Sequence, residues 1–251
     1  MGVSMATAEM WVERWERQQQ RYAVDREERF TVIADVVEHV TAGRTRPLLV
    51  DLGCGPGSLA ARLATRLPHA DIVAVDMDPL LLELGRTHHT RVARFVDAEI
   101  GADGWIAALD LDRPLDAAVS TTALHYLPEP VLRRAYEELA ALLRPGGVLV
   151  NADHLPQDGA PTAEIAAHVG RRRAARSRTH QHEDWASWWA AAARDPELAD
   201  LFAGRLRRLP AHGGDNQLTV SRHVALLRQA GFAHVSPVWQ FGDSHVLVAT
   251  R

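Results

Sequence analysis

Val50-Asp51-Leu52-Gly53-Cys54-Gly55-Pro56-Gly57-Ser58 is the stretch whose reading decides the fold. It follows Leu48-Leu49-Val50, an apolar run of buried-strand character, and precedes Leu59-Ala60-Ala61-Arg62-Leu63-Ala64, which reads as a helix start. Three alternating glycines between strand and helix let the backbone come close to a ligand. A dinucleotide fingerprint would place its third glycine where Ser58 stands. A phosphate-binding P-loop would need a lysine, and the chain contains none. What remains is the pattern D-x-G-x-G-x-G.

Further strand-like units follow in order. Asp71-Ile72-Val73-Ala74-Val75-Asp76-Met77-Asp78-Pro79 is a second strand ending in an acid, about twenty residues beyond the glycines, the separation that sets a carboxylate on ribose hydroxyls. Then come Ala93 to Ala98, Leu115 to Leu127, and Leu142-Leu143-Arg144-Pro145-Gly146-Gly147 leading into the strand Val148 to His154. Over residues 48 to 154, with a weaker echo at 218 to 251, this order resembles the class I S-adenosylmethionine (SAM)-dependent methyltransferases of small-molecule type. The resemblance implies an α/β, Rossmann-like, doubly wound sheet of seven mostly parallel strands with an antiparallel last strand. A helical lid would cover it.

Composition sets bounds. The 251 residues carry a formal charge of −4 and are 47% hydrophobic, the profile of an ordinary globular chain. Without lysine, Schiff-base chemistry is excluded. One cysteine cannot close an internal disulfide, which suits a reducing cytoplasm, and no apolar run reaches membrane-spanning length. Cys54 reads as a small packing residue of the glycine loop. No His-x-x-x-His or cysteine pair supports a metal.

Four regions are expected: a helical cap at 1–46, a SAM-binding core at 47–154, a helical insertion at 155–217, and the last helix and two strands at 218–251. Residues 7 to 40 read as helix. The insertion, too long for a structureless loop, should roof the cofactor end of the sheet together with the cap.

The resemblance implies a cofactor site of Asp51, Gly53, Gly55, Gly57, Asp76, Met77, Asp97, Ala98, Ser120 and Thr121. The glycines would admit the methionine part, with Asp51 near its amino group. Asp76 would hold the ribose and Met77 would pack on the adenine. Asp97 would accept from the adenine amino group, and Ser120 and Thr121 would lie near the carboxylate or sulfonium. Tyr22 and Arg29 would close over the cofactor's carboxylate; the bland alternative is a solvated helix face in which Asp25 pairs with Arg29. If the acceptor must lose a proton, His154 is the expected base, with His125 nearby; otherwise these histidines shape the pocket. Tyr126, Trp185, Trp188 and His212 are expected around the substrate, although tryptophans at helical spacing also fit core packing. The arginine run 171–178 reads as a solvated face or as a hold on an acidic or nucleic-acid substrate.

The expected activity is SAM-dependent methylation of a small molecule at oxygen, nitrogen or carbon, with S-adenosylhomocysteine as product. Two other readings stay open: a tRNA-modifying enzyme, and a SAM-binding protein of the same fold with different chemistry.

Overall fold

The computed structural model describes residues 2–23, 25–208 and 215–251. Two helices, α1 (Met5–Tyr22) and α2 (Arg26–Val40), precede the sheet. The expected single helix is thus divided at Ala23, whose backbone leaves the helical region. The two halves face different partners. Trp11, Val12 and Trp15 of α1 pack on helices at the top of the sheet, whereas Phe30, Ile33 and Val37 of α2 pack on the sheet itself. One straight helix cannot serve both surfaces.

Strands and helices then alternate: β1 (Leu48–Leu52), α3 (Ser58–Arg66), β2 (Asp71–Asp76), α4 (Pro79–His88), β3 (Arg94–Asp97), a one-turn α5 (Trp105–Ala108), β4 (Leu115–Thr121), α6 (Glu129–Leu142) and β5 (Leu143–His154). The insertion supplies α7 (Ala160–Ser177), α8 (Trp185–Ala192) and α9 (Ala199–Arg208). The chain closes with α10 (Val220–Gln229), β6 (His234–Phe241) and β7 (Ser244–Thr250). No described helix is long and apolar enough to cross a membrane.

The seven strands lie in the order β3-β2-β1-β4-β5-β7-β6. β1 through β5 are parallel, and β7 runs antiparallel between β5 and β6. Side chains alternate across each strand. Leu48, Val50 and Leu52 join a core with Trp105, Leu132, Tyr136, Leu226 and Leu227 on one face, while Leu49 joins Phe30, Ile33, Leu59 and Leu63 on the other. Both faces of β1 are therefore covered, as a parallel sheet requires. A third apolar cluster joins Trp11 and Trp15 of α1, Leu80 and Leu84 of α4, and Trp188 and Trp189 of α8. It fastens the N-terminal helix and the insertion to each other above the carboxyl ends of β1 and β2.

Strand order reverses between β1 and β4, and the crevice beyond the carboxyl ends at such a switch point is where open α/β sheets bind ligands. The glycine loop follows β1 and Ser120-Thr121 closes β4, so the two stretches flank that point.

Candidate active site

The glycine loop is built from left-handed backbone: Gly53, Gly55 and Gly57 have φ of 67°, 54° and 89°. Gly53 is the most constrained, since a Cβ there would stand 2.3 Å from that of Ala123. At Gly57 it would meet the Phe95 ring at 2.8 Å, and at Gly55 it would only touch Trp15 at 3.5 Å. Gly53 and Cys54 donate their N–H groups to the Val75 carbonyl, which ties the loop to β2. Burial, with the charges of Asp76 and Asp51, pushes the Cys54 thiol well above its usual range, so it stays a packing group.

Two acids face this loop. Asp51 Oδ2 accepts the Ala60 N–H at 3.1 Å, while Oδ1 is buried with no hydrogen-bond partner among the described residues. Burial pushes this carboxyl up to about 7, with the charge of Asp76 adding to the effect. Asp76 accepts the Gly55 N–H at 2.7 Å and the Asp78 N–H at 2.9 Å, and burial pushes it up to about 6.

Asp78, not singled out in the sequence, is a helix cap and an anchor at once. Its Oδ1 accepts from Leu80 and Leu81 at the start of α4, and its Oδ2 accepts from Arg205 of α9 at 2.6 Å. The Arg205 guanidinium also lies 3.7 Å from the centre of the Trp189 ring. Farther along the same edge, Arg208 donates to Asp97 at 2.6 Å. The last turn of α9 is thereby pinned to the acid capping α4 and to the acid ending β3.

The other half of the edge carries a histidine–carboxylate dyad. Thr122, in the left-handed region at φ 50°, ends β4 and leads into a 3-10 turn, Leu124–Tyr126. His125 on that turn sets its Nδ1 2.9 and 3.0 Å from the two oxygens of Asp153, a fully buried residue of β5. Asn216 holds the turn in place: its N–H donates to the His125 carbonyl and its amide to those of Leu124 and Leu127. Burial opposes a charge on His125, but the hydrogen bond and charge of Asp153 outweigh it and hold the imidazole above its ordinary range. Burial likewise opposes the charge on Asp153, and His125 together with Arg29 keeps that carboxyl below its ordinary range.

Residues 49–147 match the model of a methyltransferase domain family. Over 183 residues the chain is 33% identical to a trans-aconitate 2-methyltransferase from Methylobacterium radiotolerans, covering 73% of this chain and 59% of that protein. By these matches the chain is similar to the class I SAM-dependent methyltransferases. A malonyl-[acyl-carrier protein] O-methyltransferase from Hahella chejuensis is 34% identical over 110 residues, 43% of this chain and 37% of that one. Among solved structures, SAM-bound CalS10, an amino pentose methyltransferase from Micromonospora echinaspora, shares the fold at a TM-score of 0.53 and 20% identity, over 89% of this chain and 90% of that one. The chain spans 59% or less of the length of the curated relatives named here.

The residues at this edge suit the cofactor of that family. A backbone cradle without Cβ atoms lies beside Asp51 and Asp76, two acids whose burial would be relieved by donor groups such as an ammonium or ribose hydroxyls. Ala98 is buried and donates its N–H to the Asp76 carbonyl, and Met77 is half-buried between the acids. Thr121 Oγ1 is buried without a partner among the described residues, whereas the Ser120 hydroxyl donates to the Leu52 carbonyl and so ties β4 to β1.

Other expected residues fall elsewhere. Tyr22 is exposed, and its hydroxyl accepts the Trp185 N–H at the start of α8. Trp188 is fully buried against Trp11 and Trp15, so it is core rather than a pocket wall, while Trp185 packs edgewise on Trp189 at the margin of that cluster. Tyr126 is half-exposed and packs at a tilt on His125 with centroids 4.0 Å apart. His212 lies outside the described residues. His154 points to the opposite strand face from Asp153, with its Nδ1 3.5 Å from Asp243 in the β6–β7 turn. The expected pairing of Asp25 with Arg29 does not form, because Asp25 is bound to Arg173 of α7. Nor does the carboxyl edge hold every cleft. One of about 570 Å³ lies at the amino ends of β1 to β3, but its Arg46 and Arg113 are bound to Asp71.

Proposed function

We propose that this chain transfers a methyl group from SAM to an oxygen of a small-molecule acceptor, with His125 as general base and Asp153 orienting it. The observation that carries the reading is the dyad at the end of β4 and β5, beside the glycine loop on the same edge. Ionised Asp153 offers only acceptors, so Nδ1 of neutral His125 carries the hydrogen and Nε2 keeps its lone pair. Nε2 takes the proton of the acceptor hydroxyl, and the resulting imidazolium is stabilised by Asp153. The cofactor, when bound, supplies a methyl on sulfonium, whose carbon–sulfur bond breaks with the electron pair left on sulfur as the oxygen attacks in line. Asp51, Asp76 and the glycine loop hold that group in position, Asp97 and Ala98 line the adenine end, and the cap and insertion exclude water. One relative is named for trans-aconitate, a small acid, which supports a small acceptor here; another is named for a malonyl group carried on acyl-carrier protein.

A tRNA acceptor draws less support. Arg173, in the middle of the arginine run, is committed to Asp25 and to the Phe241 ring instead of lining a groove. The test is to incubate the full chain with SAM and a panel of phenols, hydroxy acids, carboxylic acids and amines, following S-adenosylhomocysteine and product mass. The expected result is an O-methyl product from a hydroxylated member, lost in His125→Ala; a carboxylate acceptor, already ionised, would need no base and would lose little in that variant. N-methylation alone, or submicromolar salt-sensitive binding of bulk tRNA, overturns the reading.

A further inference from the structure

His125 stands on a short turn that holds itself together poorly. Thr122, just ahead of it, lies in the left-handed region, a costly place for a β-branched residue. The 3-10 turn Leu124–Tyr126 has two long bonds of its own, from the Tyr126 N–H to the Ala123 carbonyl and from the Leu127 N–H to the Leu124 carbonyl, both at 3.2 Å. The remaining carbonyls at the end of such a turn need donors from elsewhere.

Those donors come from the segment that follows the insertion, about ninety residues away along the chain. Asp215 Oδ1 accepts the Gln217 N–H at 2.9 Å, and Asn216 Oδ1 accepts the Leu218 N–H at 3.0 Å. These are two overlapping Asx turns, and they hold Gln217 in the left-handed region at φ 54°. Folded this way, Asn216 presents every donor it has to the turn. Its backbone N–H reaches the His125 carbonyl at 2.8 Å, and its Nδ2 reaches the carbonyls of Leu127 at 2.9 Å and Leu124 at 3.3 Å. The role calls for an amide. Two donors and one acceptor are used at once, whereas a carboxylate of the same shape would turn oxygens without hydrogens toward two carbonyls. The segment is itself anchored just beyond, where the Val220 N–H donates to the Pro156 carbonyl and Thr219 caps α10.

The imidazole meets Asp153 through one nitrogen, at 2.9 and 3.0 Å. A shift of the turn's backbone by a fraction of an ångström would carry that nitrogen out of hydrogen-bond range. We propose that Asn216 is a positioning residue for the reaction: its three bonds fix the turn so that His125 stands between Asp153 and the acceptor. The base is then assembled only when the segment after the insertion is seated. This rests on the reading of His125 as general base.

The experiment uses the full chain saturated with S-adenosylhomocysteine for NMR titration of the His125 ring, whose signals are assigned by their loss in His125→Ala. Turnover is measured with the hydroxylated member of the acceptor panel that the parent methylates. The parent's midpoint should lie above 6.5, because Asp153 holds the imidazole up. In Asn216→Ala the ring leaves Asp153, and the midpoint should fall by about half a pH unit or more. Turnover on the alkaline plateau should fall about ten- to a hundredfold, the cost of a misplaced group, with KM and S-adenosylhomocysteine affinity within about threefold. Asn216→Asp keeps the Leu218 contact and the backbone N–H but loses both amide donors, so its turnover should fall as far. An unmoved midpoint with parental turnover in Asn216→Ala overturns the proposal. So does a loss of about tenfold in S-adenosylhomocysteine affinity in both variants, which would make Asn216 a framework residue. If His125→Ala is impaired and neither Asn216 variant is, the base reading stands and the proposal falls. If His125→Ala turns over like the parent, the base reading itself fails, and Asn216 has no reaction to position.

Discussion

The two halves of the sheet's carboxyl edge are built by different means. Above β1 to β3 the site is mostly backbone: left-handed glycines, N–H groups donated to Asp76, and a helix start capped by Asp78. Above β4, β5 and β7 it is mostly side chains brought from distant segments: His125 from a turn, Asp153 from β5 and Asn216 from the loop before α10. A site made of backbone is broken by adding atoms to it. One made of side chains is broken by removing a single group.

The largest expected effect tests the side-chain half. His125→Ala should lower turnover by about 10²- to 10⁴-fold, the usual worth of a general base, with cofactor affinity unchanged. The pH profile sharpens this. Activity of the parent should rise as His125 loses its proton, with a midpoint above the ordinary 6.5 because Asp153 holds the imidazole up. In Asp153→Asn the hydrogen bond to a carboxylate and its charge are lost, while burial and Arg29 still oppose the charge and only Asp215 favours it, so the midpoint should move down. An unmoved midpoint would detach Asp153 from the base.

Adding one methyl tests the backbone half. Gly53→Ala forces a left-handed alanine, costing about 1–2 kcal/mol, and crowds Ala123, costing about 1–3 kcal/mol more. It should lower the melting temperature and abolish cofactor binding. Gly55→Ala carries the backbone strain but meets Trp15 at ordinary contact distance, so its effect should be smaller. The reverse order would mean that the loop opens differently in solution.

A side chain within the backbone half should matter less than either. Asp76→Ala should weaken cofactor binding about tenfold or more, as expected for one charge-assisted hydrogen-bonding group at about 1.5–3 kcal/mol. Asp51 and Asp76, raised to about 7 and 6, are partly protonated at pH 6.5, so cofactor donors that favour their charged forms should expel protons. Calorimetry at that pH in buffers of different ionisation heat should show proton release. Proton uptake would place these acids outside the cofactor's reach. The smallest effect belongs to the half-exposed Arg208–Asp97 pair: Arg208→Ala should change cofactor affinity by less than about fivefold, since such pairs are worth at most ~1 kcal/mol.

Legibility followed the same division. The strand order, the glycine loop and the acid ending β2 were readable because each is a local pattern with a fixed spacing along the chain. So was the antiparallel last strand, by resemblance. The break between α1 and α2 was not, because Ala23 carries no helix-stop signal and the turn arises from two packing surfaces. Asp78 was legible only as Asp-Pro before an apolar run, a capping pattern, and nothing local marked Arg205 as its partner 127 residues away. His154 and His125 were both visible at strand ends, yet their ranking depended on which face Asp153 takes.

By itself, then, the sequence determined where the backbone must approach a cofactor, because glycine spacing and strand periodicity are short-range constraints that the local chain satisfies alone. Only the tertiary structure decided which histidine has a carboxylate behind it, which tryptophans are core, and that Arg29 is buried. Those facts depend on the strand faces and on segments more than a hundred residues apart meeting at one edge, and no local pattern encodes such a meeting.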